Sequence, residues 1–289
     1  MDLRRLQLFL AVVDEGGFTA AAKAVSVAQP SISLAVRELE RELGAELLVR
    51  SRRGVALTTA GEALVGPARQ AVRDVATATA AVSAVTGLMA GRLDVASLPT
   101  LAADPLAAMV GRFRQAHPAV TVRLAAPSEP RDLADAVRSG RAEVGITETG
   151  VANQGLEELA VTEQELVAVS PPRTTGTGRP LPLRELRGVP LVLTLPGTSV
   201  RNLVEAGLAE AGVVPEIVVE TAQRDALVPL VLAGAGTTLV PVSIATAAAA
   251  LGAVIRSTRP VLRRRVVLVH RPGPMSPAAQ RFAWGSEAA

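Results

Sequence analysis

Residues 29 to 37 read QPSISLAVR, and Gln29, Ser31, Ser33 and Arg37 carry hydrogen-bonding groups suited to nucleic-acid recognition. A glutamine amide pairs bidentately with adenine, a guanidinium reaches guanine or phosphate, and a serine hydroxyl donates to base or phosphate. Pro30 lacks an N–H and is tolerated in a helix's first turn, so these side chains sit on or near a helix N-terminus. A second set, Arg50, Arg52 and Arg53 in LLVRSRRGVALTT, puts three guanidiniums at adjacent or alternate positions. They can straddle a phosphate backbone and place one side chain in a narrow minor groove.

The elements that position these residues follow from periodicity. Leu3, Leu6, Phe9, Leu10 and Val13 form one helical face that stops at Gly16-Gly17. A short second helix follows, with Thr19 as its N-cap. VSVAQ breaks the pattern, and Ile32, Val36, Leu39 and Leu43 line a third helix that ends at Gly44. Two short helices around a tight turn make a helix-turn-helix, although an αα corner in a helical core has the same local pattern. Two β-like pieces around Arg-Arg-Gly then predict a wing, which on its own equally describes a solvated hairpin tip. Together they favour a winged helix over residues 1–58.

Residues 59–90 are alanine-rich, with Leu64, Ala68, Ala71, Val75, Ala78, Val82, Val85 and Met89 at alternating four-three spacing. That is a heptad seam through which two copies can pair, while a lone helix packed on its own protein fits the same residues. From Gly91 a βαβαβ rhythm appears and then repeats, predicting two α/β lobes with parallel sheets and right-handed crossovers. Lobe I is expected over 91–162, joined again by about 270–289, and lobe II over 163–269. Ligands of such sheets sit beyond the carboxyl ends of strands, at helix N-termini.

Composition narrows the function. The 289 residues hold no cysteine, which excludes disulfides, thiolate metal sites and thiol switches. Net charge is only +3, and residues 1–58 carry eight Lys/Arg against seven Asp/Glu, so any DNA contact is local. Four Phe, one Trp and no Tyr argue against base-stacking platforms. No apolar run reaches the roughly 18 residues that span a bilayer, and no signal peptide is visible, so a soluble cytoplasmic protein without membrane contact is expected.

Residues 6–62, from LQLFLAVVDEGGFTAAAKAVSVAQPSIS through LAVRELERELGAELLVRSRRGVALTTAGE, resemble the DNA-binding domain of the LysR-type transcriptional regulators. The resemblance continues over essentially the whole chain. It implies a winged helix-turn-helix, a dimerising linker helix and a two-lobed α/β effector domain like the periplasmic binding proteins. Partners so implied are double-stranded DNA, a small effector between the lobes, further copies of the chain as dimer and tetramer, and RNA polymerase. No cofactor, metal or catalytic residue is implied.

By this resemblance Gln29, Pro30, Ser31 and Ser33 open the recognition helix, and Arg50, Arg52 and Arg53 form the wing; Thr19, Leu34 and Arg37 complete the expected DNA surface. Leu34 stands where many members carry a polar or basic residue, and an apolar contact to a thymine methyl suits it. Ala28 replaces the usual Ser or Thr and leaves the helix uncapped. Ser97, Pro99 and Thr100 in ASLPT match the loop after the first effector-domain strand, and Thr198 and Ser199 in LPGTSVR match the facing edge of lobe II. Hydroxyls and free N–H groups at facing helix N-termini suit a carboxylate or phosphate, and they equally suit plain capping. Thr147 and Arg201 are further cleft candidates.

Two rivals stand beside this reading. An enzyme lacks support: neither His117 nor His270 lies in a nucleophile motif, no metal cluster appears, and GAGTT at 234–238 lacks the third glycine of a dinucleotide loop. A small-molecule-binding protein without DNA contact fits the lobes but leaves the N-terminal third unexplained.

Overall fold

The computed structural model describes residues 1–51, 54–85, 90–175 and 178–285. The N-terminal domain packs α1 (Leu3–Glu15), α2 (Phe18–Ala24) and α3 (Gln29–Leu43) against a hairpin, β1 (Leu48–Ser51) and β2 (Gly54–Leu57). Its core is made by the apolar faces read above: Phe9, Ile32 and Leu39 are fully buried and Leu47 is almost so. Each such side chain contributes on the order of 1.5–3 kcal/mol. Gly16 and Gly44 adopt the left-handed conformation that ends α1 and α3. Ser26, at φ 53°, tightens the turn between α2 and α3.

Helix α2 begins one residue before the expected cap. Gly17 is its N-cap, and Thr19 sits exposed within the first turn. Glycine in the extended conformation lets the backbone turn into the helix without a side-chain cap.

Helix α4 (Thr59–Val85) is capped by Thr58, whose Oγ1 accepts from the Gly61 N–H at 3.0 Å. Its apolar seam divides. Leu64, Ala68, Ala71 and Val72 pack into the N-terminal domain's own core, whereas Val75 and Val82 are 49% and 69% exposed. The Val85 side chain and all of Met89 lie outside the described residues.

Lobe I contains β3 (Gly91–Ser97), a turn through α5 (Pro99–Leu101), α6 (Ala107–Ala116), β4 (Val120–Ala125), α7 (Pro130–Arg138) and β5 (Val144–Glu148). β3 pairs in parallel with both β4 and β5. The chain leaves on β6 (Glu157–Ser170) for lobe II. That lobe holds β7 (Leu181–Pro182), β8 (Pro190–Thr194), α8 (Ser199–Glu210), β9 (Glu216–Thr221), α9 (Leu227–Leu232), β10 (Thr238–Pro241) and α10 (Val242–Ala250). It returns on β11 (Val254–His270) to α11 (Pro277–Trp284), which packs on lobe I against α4 and α6.

The sheets are mixed, where the rhythm predicts parallel ones. β6 and β11 pair antiparallel with each other along their lengths, β11 also runs antiparallel to β5, and β10 to β6. Among the described residues, the parallel strand pairs are β3–β4, β3–β5, β8–β9 and the short β7–β11 contact. A chain that leaves lobe I and comes back must run two opposed strands between the lobes, and these strands provide the antiparallel frame. Leu159 and Val161 pack on lobe I and Leu166 on lobe II; on the return, Leu262 belongs to lobe II and Val266–Val269 to lobe I. The return crossing therefore falls between 262 and 266, a few residues before the expected 270.

Candidate nucleic-acid interface and interlobe cleft

The start of α3 projects from the N-terminal domain. Gln29, Pro30, Ser31, Leu34 and Arg37 are exposed and Ser33 is half-buried. Ala28 is the N-cap and supplies no side-chain hydrogen bond, so the cap residue leaves this positive helix end uncapped. Leu34 is 58% exposed in the middle of this polar face. Arg50 lies in β1, with its backbone opposite Val55, and its side chain is outside the described set. Arg52 and Arg53 lie outside the described residues.

One positioning residue escapes a search for DNA contacts. Glu40, on α3, accepts from the backbone N–H groups of Leu47 and Leu48 at 2.9 and 3.2 Å. It locks the direction of α3 to the root of the hairpin. Glu40 is one of three carboxylates, with Glu38 and Glu42, in the last turns of α3, and spacing alone does not single it out.

The lobes meet at Arg264, on the crossing section of β11. Its guanidinium donates from Nη2 to Thr100 Oγ1 of lobe I at 2.9 Å and from Nη1 to Ser199 Oγ of lobe II at 2.9 Å. Nε and Nη2 also donate to Gln164 Oε1 on β6, at 3.1 and 2.6 Å. Ser199 donates in turn to the Glu148 carboxylate at the end of β5. Arg264 is only 5% exposed, and among the described residues no carboxylate forms an ion pair with it. Burial pushes its pKa down to about 10 against the pull of Glu148 and Asp104, so it stays cationic at neutral pH. Gln164 Nε2 donates to the Asp104 carbonyl at 2.7 Å, which fastens the irregular turn between α5 and α6 to the crossing.

Thr100 and Ser199 thus converge on one cation, while the other candidates divide. The Ser97 hydroxyl is buried and donates to the neighbouring Leu98 carbonyl at 3.0 Å. Pro99 opens the turn beside it. Thr147 Oγ1 is buried without a hydrogen-bond partner. Thr198 Oγ1 is 2.7 Å from Thr194 Oγ1 and is not a side-chain cap for α8. Arg201 is an internal clamp of lobe II: it donates to Glu205 at 2.6 Å, to Glu220 at 2.9 Å and to the Thr194 carbonyl at 2.8 Å. Burial acts to lower its pKa, but the two glutamates outweigh burial and hold it above the ordinary value.

Helix α7 joins this cleft to α4. At its N-terminal side, Arg224 of lobe II donates to the Ser128 carbonyl at 3.4 Å. At its C-terminal end, Arg73 of α4 donates to the Gly140 carbonyl at 2.8 Å. Arg271 donates to the carbonyls of Val137 and Ala142 and to Gln70 of α4. A helix C-terminus is the electronegative end that such cations favour. Gly140 has φ +74°, and a Cβ there would lie 1.6 Å from Arg73 Nη1. Burial, with the adjacent Arg271, pushes the Arg73 pKa down to about 10.

Comparison with known proteins assigns both halves. Residues 3–62 match the family described as bacterial regulatory helix-turn-helix protein, lysR family, and residues 86–283 match the LysR substrate binding domain. The chain is 30% identical over 263 residues to the HTH-type transcriptional regulator TfdS of Cupriavidus pinatubonensis (strain JMP 134 / LMG 1197), covering 85% of this chain and 84% of that one. It is 30% identical over 248 residues to the regulator TcbR of Pseudomonas sp. (strain P51), with the same coverage. Among solved structures, full-length CbnR in complex with its target DNA is 28% identical, with TM-score 0.57 over 99% of each chain. Full-length OxyR from Pseudomonas aeruginosa has the same fold, with TM-score 0.82 over 99% of this chain and 94% of that one at 22% identity.

Replacing Arg201 by Ala removes the lobe II clamp and should cost about 1–3 kcal/mol, because its two glutamates remain partly solvated. The expected result is a lower urea midpoint with an undiminished response of the cleft to ligand. An unaltered midpoint together with a lost ligand response would return Arg201 to the cleft.

Proposed function

The chain belongs to the LysR family of bacterial transcriptional regulators, and from that premise we propose that it reads its operator through the exposed start of α3 under the control of an anionic effector held at Arg264. It is a DNA-binding regulator with an effector-binding domain, its relatives are named as regulators, and the enzyme reading is set aside. No helix among the described residues is long and apolar enough to cross a membrane. We place the protein in the cytoplasm, with the DNA it reads.

The observation that carries the effector class is the uncompensated cation between the lobes. A buried guanidinium served, among the described residues, by Thr100, Ser199 and Gln164 has lost most of its hydration without gaining a direct counter-charge. A carboxylate or phosphate entering the cleft supplies that charge and can accept hydrogen bonds from the two hydroxyls. Because the hydroxyls come from different lobes, such an anion draws on both and shifts their relative position. The ligand acts only through its different affinity for the two arrangements.

On the DNA side, Gln29, Ser31, Ser33 and Arg37 supply base and phosphate contacts, Leu34 an apolar contact, and Thr19, Arg50, Arg52 and Arg53 the flanking backbone contacts. The uncovered Val75 and Val82 on α4 support pairing of two copies through the linker helix, and two such pairs would make the tetramer. RNA polymerase is the remaining partner in this scheme. The Arg73–Gly140 junction supports passage of lobe movement into α4.

Three variants test the scheme on duplex DNA from upstream of the gene, against an unrelated duplex. Arg37→Ala should weaken binding and reduce the magnitude of the salt slope by about one, and an unchanged slope would remove Arg37 from the contacts. Arg264→Met keeps volume without charge; operator binding should persist while small carboxylates no longer alter it, and a persisting response would place the effector elsewhere. Arg73→Gln should retain both operator binding and carboxylate binding by calorimetry, yet weaken the coupling between them by about five-fold or more, within the usual range of coupling energies. Undiminished coupling would exclude the junction from the pathway.

A further inference from the structure

Lobe I carries a second concavity, far along α6 from the cleft, where the end of that helix meets α11. Its volume is about 640 Å³, within the range of small-molecule sites. Phe113 and Phe282 form its floor, edge to face with ring centroids 5.5 Å apart, and His117 lies against Phe113 at 5.0 Å. Trp284 forms a wall and is 50% exposed. The whole chain has five aromatic residues of the Phe, Trp and Tyr types, and three of them line this one groove. The low aromatic content makes that convergence informative.

Charge defines the ligand further. Arg112 and Arg281 stand exposed on the rim, and neither guanidinium has a hydrogen bond or ion pair among the described residues. Elsewhere, exposed arginines such as Arg263 and Arg265 lie within ion-pair distance of glutamates across the strands. Two unpaired cations over an aromatic floor combine face and edge contacts for a ring with charge-assisted hydrogen bonds for an acid group.

We propose that the α6–α11 groove is a second ligand site of this regulator, separate from the interlobe cleft, and that it takes a small aromatic carboxylate. The ring lies against the half-exposed Trp284, over the floor made by Phe113 and Phe282, and the carboxylate meets Arg112 and Arg281. Because α11 also packs against α4, occupancy of the groove bears on the linker helix without passing through the cleft.

The chain's only tryptophan is the site's own reporter. The full-length protein is titrated with benzoate while Trp284 emission is followed, with cyclohexanecarboxylate as the acid without a π-face and benzamide as the ring without a charge. Saturable quenching by benzoate is expected, weaker binding of both controls, and about a tenfold loss of benzoate affinity in the R112Q/R281Q double variant, whose positions are exposed. The signal should be unchanged in Arg264→Met. Ligand-detected NMR on Trp284→Phe provides a reading independent of fluorescence, and binding there should survive with reduced affinity. No saturable response, equal affinity in the double variant, or loss of the signal in Arg264→Met would each overturn the proposal. So would emission that follows protein concentration rather than ligand, which would make the groove a contact between copies.

Discussion

A guanidinium closed between two lobes sets the terms for the rest of this molecule. Arg264 needs hydrogen-bond acceptors wherever it points, and its position on a crossing strand gives it one hydroxyl from each lobe and an amide from the other crossing strand. Neutral partners satisfy its donors but do little to neutralise its charge. The interface is therefore held by contacts that an incoming anion can reorganise. Had Glu148 paired directly with Arg264, the cleft would resist a ligand; instead the Ser199 hydroxyl lies between them, donating to one and accepting from the other.

The same economy of contacts recurs at α7. A nine-residue helix spans about 14 Å, and each end meets arginines from another part of the chain: Arg224 at the cleft side, Arg73 and Arg271 at the linker side. The helix has a buried face, including Leu133, Ala134 and Val137, so it moves as a unit with lobe I. Gly140 allows Arg73 to rest directly on the backbone, which leaves little slack in the joint. In the proposed scheme, a shift of the lobes would reach α4 just beyond the part of α4 embedded in the DNA-binding domain.

The legible and illegible parts of the sequence differ for physical reasons. The N-terminal domain was readable because its helices bury one face each and stop at glycines with left-handed φ, both local signals. Ser199 and Thr100 were readable as hydroxyls at helix starts. Arg264 was not, because RRR at 263–265 looks like a solvated run, and only strand alternation turns its middle residue inward while its neighbours face glutamates in solvent. The first half of β6 gives a weak signal for a related reason: EELAVTEQE sets only Leu159, Ala160 and Val161 between polar stretches, too short an apolar run to announce a strand. Arg201 shows the opposite case. A cation next to a helix N-terminus suggests an anion site, but its partners Glu205 and Glu220 are already in the chain, one a helical turn away and one on an adjacent strand.

The weak overall charge also bears on how such a protein selects DNA. With net charge +3, long-range attraction contributes little, and each reading head presents only a short helix start and a hairpin. Specificity must then come from joining heads at a fixed spacing, since linking two modest contacts raises affinity without any new contact. The division of α4 meets that requirement: its first half is built into the head through Leu64, Ala68, Ala71 and Val72, and its second half leaves Val75 and Val82 uncovered for a second copy. In the proposed scheme, a change delivered at Arg73, between those halves, would act where the heads' spacing is set. An effector can therefore alter which operators are bound without touching a single base contact.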